Sequence, residues 1–228
     1  MVQPQFSIVL LTYNRQDLLE SRLADLRLRF ARRPEVQLVV FDNGSTDGTP
    51  LILWELRKQA MGDNWVVLAY HEKTNIGFGR GFNKAAGLAT GKLLVLISDD
   101  VRIFGDFLGP IGDALEEKDA LICQQVIDWK AGWNQFGDVV FPYPAGHILA
   151  LRADTWKLMG GFDQRFAPAG YEDVDLGYRA KIGNLAMVAL PKLPVAHESL
   201  AEPRYEHTVH MKAVFAEKWN LRNEPERP

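Results

Sequence analysis

Through its first hundred residues the chain alternates short apolar runs with helix-length amphipathic stretches. This alternation constrains the fold more than any other feature, because consecutive βα units bury their strands in a mostly parallel sheet. Phe6-Ser-Ile-Val-Leu-Leu11 and Val36-Gln-Leu-Val-Val-Phe41 read as buried strands, as do Trp65-Val-Val-Leu-Ala-Tyr70 and Lys92-Leu-Leu-Val-Leu-Ile97. Between the first two, Leu18, Leu19, Leu23, Leu26 and Phe30 recur at helical spacing from Gln16 to Phe30. The turn and capping cluster Asp42-Asn-Gly-Ser-Thr-Asp47-Gly precedes an apolar-periodic segment with Leu51, Ile52, Trp54 and Leu56. Phe78 to Thr90 makes a helix rich in Gly and Ala, able to lie close to the sheet or to a ligand. The expected fold class is α/β, a mostly parallel central sheet flanked by helices.

After Asp100 the alternation stops predicting topology. Trp and Tyr accumulate between Trp129 and Tyr143, and Gly160-Gly-Phe-Asp163 punctuates the chain. Glu172 to Ile182 reads as a helix and Leu185 to Leu190 as a strand. Tyr205 to Trp219 reads as a last amphipathic helix carrying Val209, Val214, Phe215 and Trp219. Residues 223–228 are expected to fray. A length of 228 residues favours one core with insertions over two catalytic domains. With 26 Lys and Arg against 29 Asp and Glu, the net charge of −3 gives no global positive field, so tight nonspecific nucleic-acid binding is disfavoured. There is no basic leader and no apolar run near the roughly 18 residues of a membrane span, and a cytoplasmic protein without an integral membrane segment is expected. Cys123, in an apolar run, is expected to be buried and inert. Asn43-Gly44-Ser45 fits a glycosylation sequon but reads as turn chemistry.

In an open α/β sheet, ligands bind at the carboxyl ends of the parallel strands. Here those ends are polar: Thr12-Tyr13-Asn14, Asp42-Asn43-Gly44-Ser45, His71 with Asn75, and Ser98-Asp99-Asp100. Asp and Asn can read the hydrogen-bonding edge of a base, and paired carboxylates are hard oxygen ligands for Mg²⁺ or Mn²⁺. Together they describe a nucleotide and metal pocket, although each alone is equally open to a turn or N-cap role. Gly77-Phe-Gly79-Arg-Gly81 has the spacing G-x-G-x-G after the third strand, which differs from the dinucleotide fingerprint. No Walker loop or Ser or Cys nucleophile motif is present. A second acidic cluster, Tyr171-Glu172-Asp173-Val-Asp175, opens a predicted helix. Its carboxylates suit the positive end of the helix dipole, or one of them serves as a general base in a cleft. His197 follows a strand-like segment, and with Asp99 and Asp100 it is a candidate metal ligand.

Taken in order, five segments carry a resemblance: Ile8-Val-Leu-Leu-Thr12-Tyr-Asn14-Arg; Val40-Phe-Asp42-Asn-Gly-Ser-Thr-Asp47-Gly; Asn75-Ile-Gly77-Phe-Gly79-Arg-Gly-Phe-Asn83-Lys-Ala; Leu96-Ile-Ser-Asp99-Asp100-Val; and Gly160-Gly-Phe-Asp163 running on to Tyr171-Glu-Asp173-Val-Asp175-Leu-Gly-Tyr-Arg179. From residue 6 to about 220 the chain resembles the family 2 glycosyltransferases of the GT-A fold, particularly their rhamnosyltransferase-like and galactofuranosyltransferase-like members. The resemblance implies a single GT-A domain over 1–222. A Rossmann-like, nucleotide-sugar donor half would occupy 6–100, and an acceptor and catalytic-base half 101–222. It implies a metal-dependent inverting transfer from a UDP- or dTDP-sugar to an acceptor hydroxyl. Thr12, Asn14 and Asp42 match positions that frame the donor base, with Asp42 accepting from N3–H of uracil or thymine. Asn75, Gly77 and Asn83 match the segment beside the nucleotide, where missing side chains let backbone approach.

The family often has Asp-x-Asp where this chain has Ser98-Asp99-Asp100. The resemblance therefore makes Asp100 the ligand of Mn²⁺ or Mg²⁺ and Asp99 a contact to the donor ribose or sugar. Asp173 matches the catalytic base. His197 resembles a histidine that completes the metal shell, although the usual Gly after it is replaced by Glu198. Trp129, Trp133, Phe136, Phe141 and Tyr143 lie in the region that faces the acceptor in such enzymes, each equally open to core packing. Trp129, Trp133, Gly146 and Glu172 are the expected acceptor residues. The acceptor is a glycan or another hydroxyl compound, with a modified DNA base disfavoured by the −3 charge. Asp42, Asp99, Asp100, Glu172, Asp173 and Asp175 are expected near one acidic cleft. Two alternatives remain: a catalytically inactive nucleotide-sugar-binding module, and a sugar nucleotidyltransferase, for which the basic Gly-rich loop after the first strand is missing.

Overall fold

The computed structural model of the protein describes residues 3–63, 65–128, 134–198 and 205–222. The first hundred residues hold strands β1 (Phe6–Thr12), β2 (Val36–Asp42), β3 (Val67–His71) and β4 (Leu93–Ser98), separated by helices α1 (Gln16–Phe30), α2 (Thr49–Asp63) and α3 (Phe78–Gly87). Then come β5 (Val101–Ile103), α4 (Leu108–Glu117), β6 (Ala120–Cys123), β7 (Val126–Ile127), β8 (Gln135–Phe136), β9 (Val139–Val140), β10 (Tyr143–Pro144) and β11 (Ile148–Arg152). The chain ends through α5 (Ala153–Met159), a 3₁₀ turn at Gln164–Phe166, α6 (Glu172–Ile182), β12 (Ala186–Ala189), β13 (Val195–His197) and α7 (Tyr205–Trp219).

Seven strands form one sheet in the order β12-β6-β11-β4-β1-β2-β3. All pairs are parallel except those of β11, which runs against both β4 and β6. Every residue of β1 and β2 is buried, as the central strands of a sheet covered on both faces must be. Ile8, Leu10, Leu38 and Val40 pack with Leu19, Leu23 and Leu26 of α1, Leu53 of α2 and Ile111 of α4. On the other face Val9, Leu11, Val39 and Phe41 meet Phe82 and Ala85 of α3 and Leu176 of α6. A third cluster centres on Phe215 of α7, whose ring lies 4.9 Å from Phe136, 5.6 Å from Phe141 and 5.8 Å from Tyr171.

Several sequence expectations change. The inward face of α2 is Leu53, Leu56 and Ala60, while Leu51 and Trp54 are exposed. Trp65 precedes β3 instead of belonging to it, its indole N–H donating to the Val36 carbonyl at 3.1 Å. In α7 the buried residues are Met211, Phe215 and Ala216, and Val209 faces outward. Phe136 and Phe141 are core residues of the third cluster, so they are withdrawn from an acceptor-facing role. The Gly-rich α3 lies against the sheet: a Cβ on Gly81 would come within 2.7 Å of Leu11 Cδ1. Cys123 is buried, and burial pushes its thiol up to about 12. The Asn43 side chain is buried and bonded, consistent with turn chemistry. Among the described residues, no helix is long and apolar enough to cross a membrane. The tail 223–228 lies outside the described residues.

Candidate functional site

The register of the parallel strands sets Thr12 beside Asp42 and Leu11 beside Ser98, so the polar ends of β1, β2 and β4 share one edge of the sheet. Asp42 is fully buried; its Oδ1 accepts from Ser45 N at 2.9 Å and its Oδ2 lies 2.7 Å from His71 Nδ1. His71 is therefore the neighbour that a base reader at Asp42 would work with, and the pairing of β2 with β3 puts it there. Asn14, with φ of 50°, ties the loop after β1 to the loop after β2: its N–H donates to Ser45 Oγ and its Oδ1 accepts from Thr46 N, both at 2.8 Å.

The loop after β2 is joined to the segment 75–77 by Asn43, which donates to Asn75 Oδ1 and the Gly77 carbonyl, each at 3.1 Å, and accepts from Ile76 N at 3.1 Å. Asn75 Oδ1 also accepts from Gly77 N at 2.8 Å. Gly77 has φ of 90°, and a Cβ there would meet the Pro168 carbonyl at 2.9 Å. Its missing side chain thus admits protein backbone. Asn83 uses both ends of its amide on Phe162, donating to the carbonyl at 2.8 Å and accepting from the N–H at 2.9 Å. It holds the Gly-Gly-Phe-Asp turn against α3.

At the end of β4, burial pushes the Asp99 carboxyl up to about 6, and the Asp100 charge adds to the rise against the Thr12 hydroxyl, Arg15 and the Tyr13 N–H. Asp100 accepts from Ser98 Oγ at 2.6 Å, and its Oδ2 lies 3.2 Å from His197 Nε2. Ser98, where a first acid would stand, thus supports Asp100. Burial works to raise the Asp100 pKa, but the bonds from His197 and Ser98 outweigh it and hold the group below its ordinary value. The same bond holds His197 above its ordinary value. The antiparallel pairing of β13 with β5 delivers His197 opposite Val101, next to Asp100.

His147 stacks on His197 with ring centroids 4.6 Å apart and planes within 6°, and its Nε2 meets Gln124 Oε1 at 2.8 Å. Burial pushes its pKa down to about 4, which leaves the ring neutral. Its neighbour Gly146 touches the base candidate. A Cβ on Gly146 would stand 3.1 Å from Asp173 Oδ2, and the Gly146 N–H favours the charged form of Asp173. One continuous path therefore runs from Asp173 through Gly146 and His147 to His197 and Asp100.

The three acids that open α6 separate by environment. Asp175 is fully buried and accepts from Arg179 Nε at 2.7 Å, Lys218 Nζ at 2.5 Å and Trp219 Nε1 at 2.9 Å, so it leaves the expected acidic cleft. Glu172 is also buried, and its Oε2 has no hydrogen-bond partner among the described residues. Burial raises its pKa, with repulsion from Asp173 adding to the rise. Asp173 keeps partial exposure and accepts from Val174 N at 2.8 Å; burial raises its pKa too, against the Val174 and Gly146 N–H groups.

Among the described residues, no three His, Cys, Asp or Glu side chains converge to hold a metal unaided. The pair Asp100 and His197, a hard oxygen beside a borderline nitrogen, is a donor set that could hold a divalent cation in part. Trp129 and Trp133 lie outside the described residues. Sequence reasoning overlooked Arg22 and His147, and noted Glu198 only as a departure from the family pattern. Arg22 carried a legible signal, since it sits three residues after Leu19 and four before Leu26 within the apolar stripe of α1.

The Glycosyl transferase family 2 model matches residues 7–167. No curated protein matches the chain in sequence. Among solved structures, the chain is similar to a mannosyltransferase from Pyrobaculum calidifontis in complex with GDP-mannose and Mn²⁺, with 18% identity, 98% of this chain covered and a TM-score of 0.75. It is similar to S. aureus TarS 1-349 in complex with UDP, at 18% identity, 96% coverage and a TM-score of 0.66. It also resembles GalNAc-T7 with UDP, GalNAc and Mn²⁺, at 13% identity, 89% coverage and a TM-score of 0.68. The chain spans 66%, 67% and 46% of those three chains, respectively. The doubly covered, mostly parallel sheet is the GT-A fold of these neighbours.

Proposed function

The chain belongs to glycosyl transferase family 2, and from that premise we propose that it moves a sugar from a UDP- or dTDP-sugar to an acceptor hydroxyl with inversion at the anomeric carbon. Residues 6–100 form the donor half and 101–222 the acceptor and base half of one domain over 1–222. The observation that carries the reading is the path from a partly exposed carboxylate, Asp173, through Gly146 and His147 to the Asp100 and His197 pair. The mannosyltransferase and GalNAc-T7 structures hold Mn²⁺ beside nucleotide or nucleotide-sugar, which supports Mn²⁺ or Mg²⁺ on Asp100 and His197 here. When bound, the cation supplies positive charge to the departing diphosphate.

Asp42, with His71 at its side, reads the base; Thr12 and Asn14 frame it, Asn75 and Gly77 belong to the segment beside the nucleotide, and Asn83 fixes the adjoining turn. Asp99 contacts the ribose or sugar. Asp173 takes the proton of the acceptor hydroxyl as its oxygen attacks the face opposite the leaving diphosphate. Glu172 and Gly146 line the acceptor side of that carboxylate, and the acceptor is a glycan or other hydroxyl compound.

The test is nucleotide release from UDP-, dTDP- and GDP-sugars in Mn²⁺, the last included because the mannosyltransferase holds GDP-mannose. Asp100→Ala is expected to weaken Mn²⁺-dependent donor binding by about tenfold or more in calorimetry, within the range seen when a metal's support is removed. Donor binding without any turnover across the panel would instead favour an inactive binding module. Gly146→Ala places a Cβ 3.1 Å from Asp173 Oδ2, so the carboxylate must give by a few tenths of an ångström. Displacements of this kind cost rate steeply, so turnover should fall about tenfold with donor affinity unchanged. Steady-state kinetics that showed a raised KM at constant kcat would count against this placement of Gly146.

A further inference from the structure

We propose that Arg22 and Glu198 are positioning residues, a charged clamp that fixes the spacing of Asp100 and His197. This rests on the metal reading given above. Glu198 stands where the resembled family has Gly, and its side chain is put to definite use. Its Oε2 accepts from Arg22 Nη2 at 2.5 Å, and its backbone N–H donates to the Asp100 carbonyl at 2.8 Å. Arg22 reaches from the buried face of α1, its side chain 5% exposed, and its Nε donates to the Asp99 carbonyl at 3.2 Å. One guanidinium therefore grips the chain immediately before Asp100 and immediately after His197. Between those two grips lie the groups whose Oδ2 and Nε2 are 3.2 Å apart.

The clamp's chemistry suits this role. A guanidinium presents its donors in a rigid plane, so two contacts on different segments fix an orientation as well as a distance. A buried guanidinium also requires acceptors for its N–H groups, and truncating Glu198 takes away the one that receives from Nη2. Arg102 reaches the other oxygen, Glu198 Oε1, at 3.3 Å from an exposed position, where solvent screens the attraction. The buried contact is the one that sets the geometry. His147 also stacks on His197, so the imidazole is confined by a ring as well as by the chain that follows it.

Groups that orient metal ligands typically change affinity by 10–100-fold when they are removed. The experiment is Mn²⁺ titration followed by loss of the free-ion electron paramagnetic resonance signal, at fixed UDP with a protein-free UDP blank. It uses the unsubstituted protein, Glu198→Ala, Glu198→Gln and Arg22→Met, with circular dichroism establishing that each is folded at the temperature used. Glu198→Ala is expected to weaken Mn²⁺ binding about tenfold. Glu198→Gln keeps an acceptor for Arg22 and should stay within about threefold of the unsubstituted protein. A structural pair alone would lower the melting temperature of both variants without this split in affinity. Should Arg22→Met not fold, the comparison of the two Glu198 variants decides. Mn²⁺ binding by the unsubstituted protein that Glu198→Ala leaves within about twofold overturns the clamp alone. Absence of Mn²⁺ binding by the unsubstituted protein overturns the metal reading and the clamp together.

Discussion

Replacing Asp173 by Asn is expected to lower sugar transfer by about 10²–10⁴-fold, the range of general-base catalysis, while donor affinity changes by less than about threefold. The substitution keeps the shape of the side chain, and the amide oxygen can still accept from Val174 N, which lies 2.8 Å from the carboxylate. What it removes is the ability to take a proton. Asp42, Asp99, Asp100 and His197, which carry the donor in this reading, lie on the strand-end side and are untouched. The pH dependence follows from the same burial. A base acts only when deprotonated, and burial lifts the Asp173 pKa above the ordinary Asp value, so activity should fall as pH drops through that raised value. The acid limb of the kcat profile therefore lies at higher pH than an exposed Asp would give. Glu172, raised by burial and by the Asp173 charge, holds its proton through this range. Nucleotide release and calorimetric donor binding measured on one preparation check both halves. Near-normal turnover in Asp173→Asn would remove Asp173 from the role.

How much of this was legible from the sequence differs between the two halves of the chain, and for a physical reason. The strands β1, β2 and β4 are continuous apolar runs because each is covered on both faces, so their composition carried the signal directly, whereas β3 lies at the sheet edge with Leu68, Tyr70 and His71 exposed. The strands β7 to β10 are two residues long, too short for any periodicity, and their pairings are set by the third core cluster. The reversal of β11 between β4 and β6 is likewise a property of the sheet and not of the segment. Helix phase was lost where large apolar residues faced outward, as at Trp54 and Val209.

The candidate site shows the same division. Positions that follow a strand were placed at the correct edge because strand polarity is enough to put them there. Their partners were not: His71 beside Asp42, His147 beside His197 and Arg22 beside Glu198 all join segments far apart in sequence. The acidic cluster of α6 divides by helical phase. Asp175 lies four residues before Arg179, a spacing that sequence alone could have read as an ion pair. Glu172 and Asp173 are adjacent and chemically alike, and only the fold leaves one buried with its Oε2 unpartnered among the described residues and the other partly exposed beside Gly146.

That division makes Asp175 the site of the largest expected loss of stability: Asp175→Ala should destabilise the protein by about 3–5 kcal/mol, as when one partner of a buried ion pair is removed. Its carboxylate has no exposure and receives three donors, from Arg179, Lys218 and Trp219. Lys218 is itself 9% exposed and also contacts Asp163 Oδ2 at 2.8 Å. Without Asp175, Lys218 would keep only Asp163 as a carboxylate partner among the described residues, and the partly buried Arg179 only the carbonyls of Met159 and Gly161, which already accept from it at 2.6 and 2.7 Å. The penalty is a large share of the 5–15 kcal/mol that holds an ordinary domain folded. It also reaches the proposed base, because α7 carries both Lys218 and Phe215. The Phe215 ring packs on Tyr171, whose φ of 71° turns the chain into Glu172 and Asp173. Urea unfolding of Asp175→Ala should show a lower midpoint. Lys218→Met, which leaves Arg179 and Trp219 on Asp175, should lose less. If Asp175→Ala cost under about 1 kcal/mol, or if Lys218→Met cost more, the carboxylate would not be the group that holds α7 against α6.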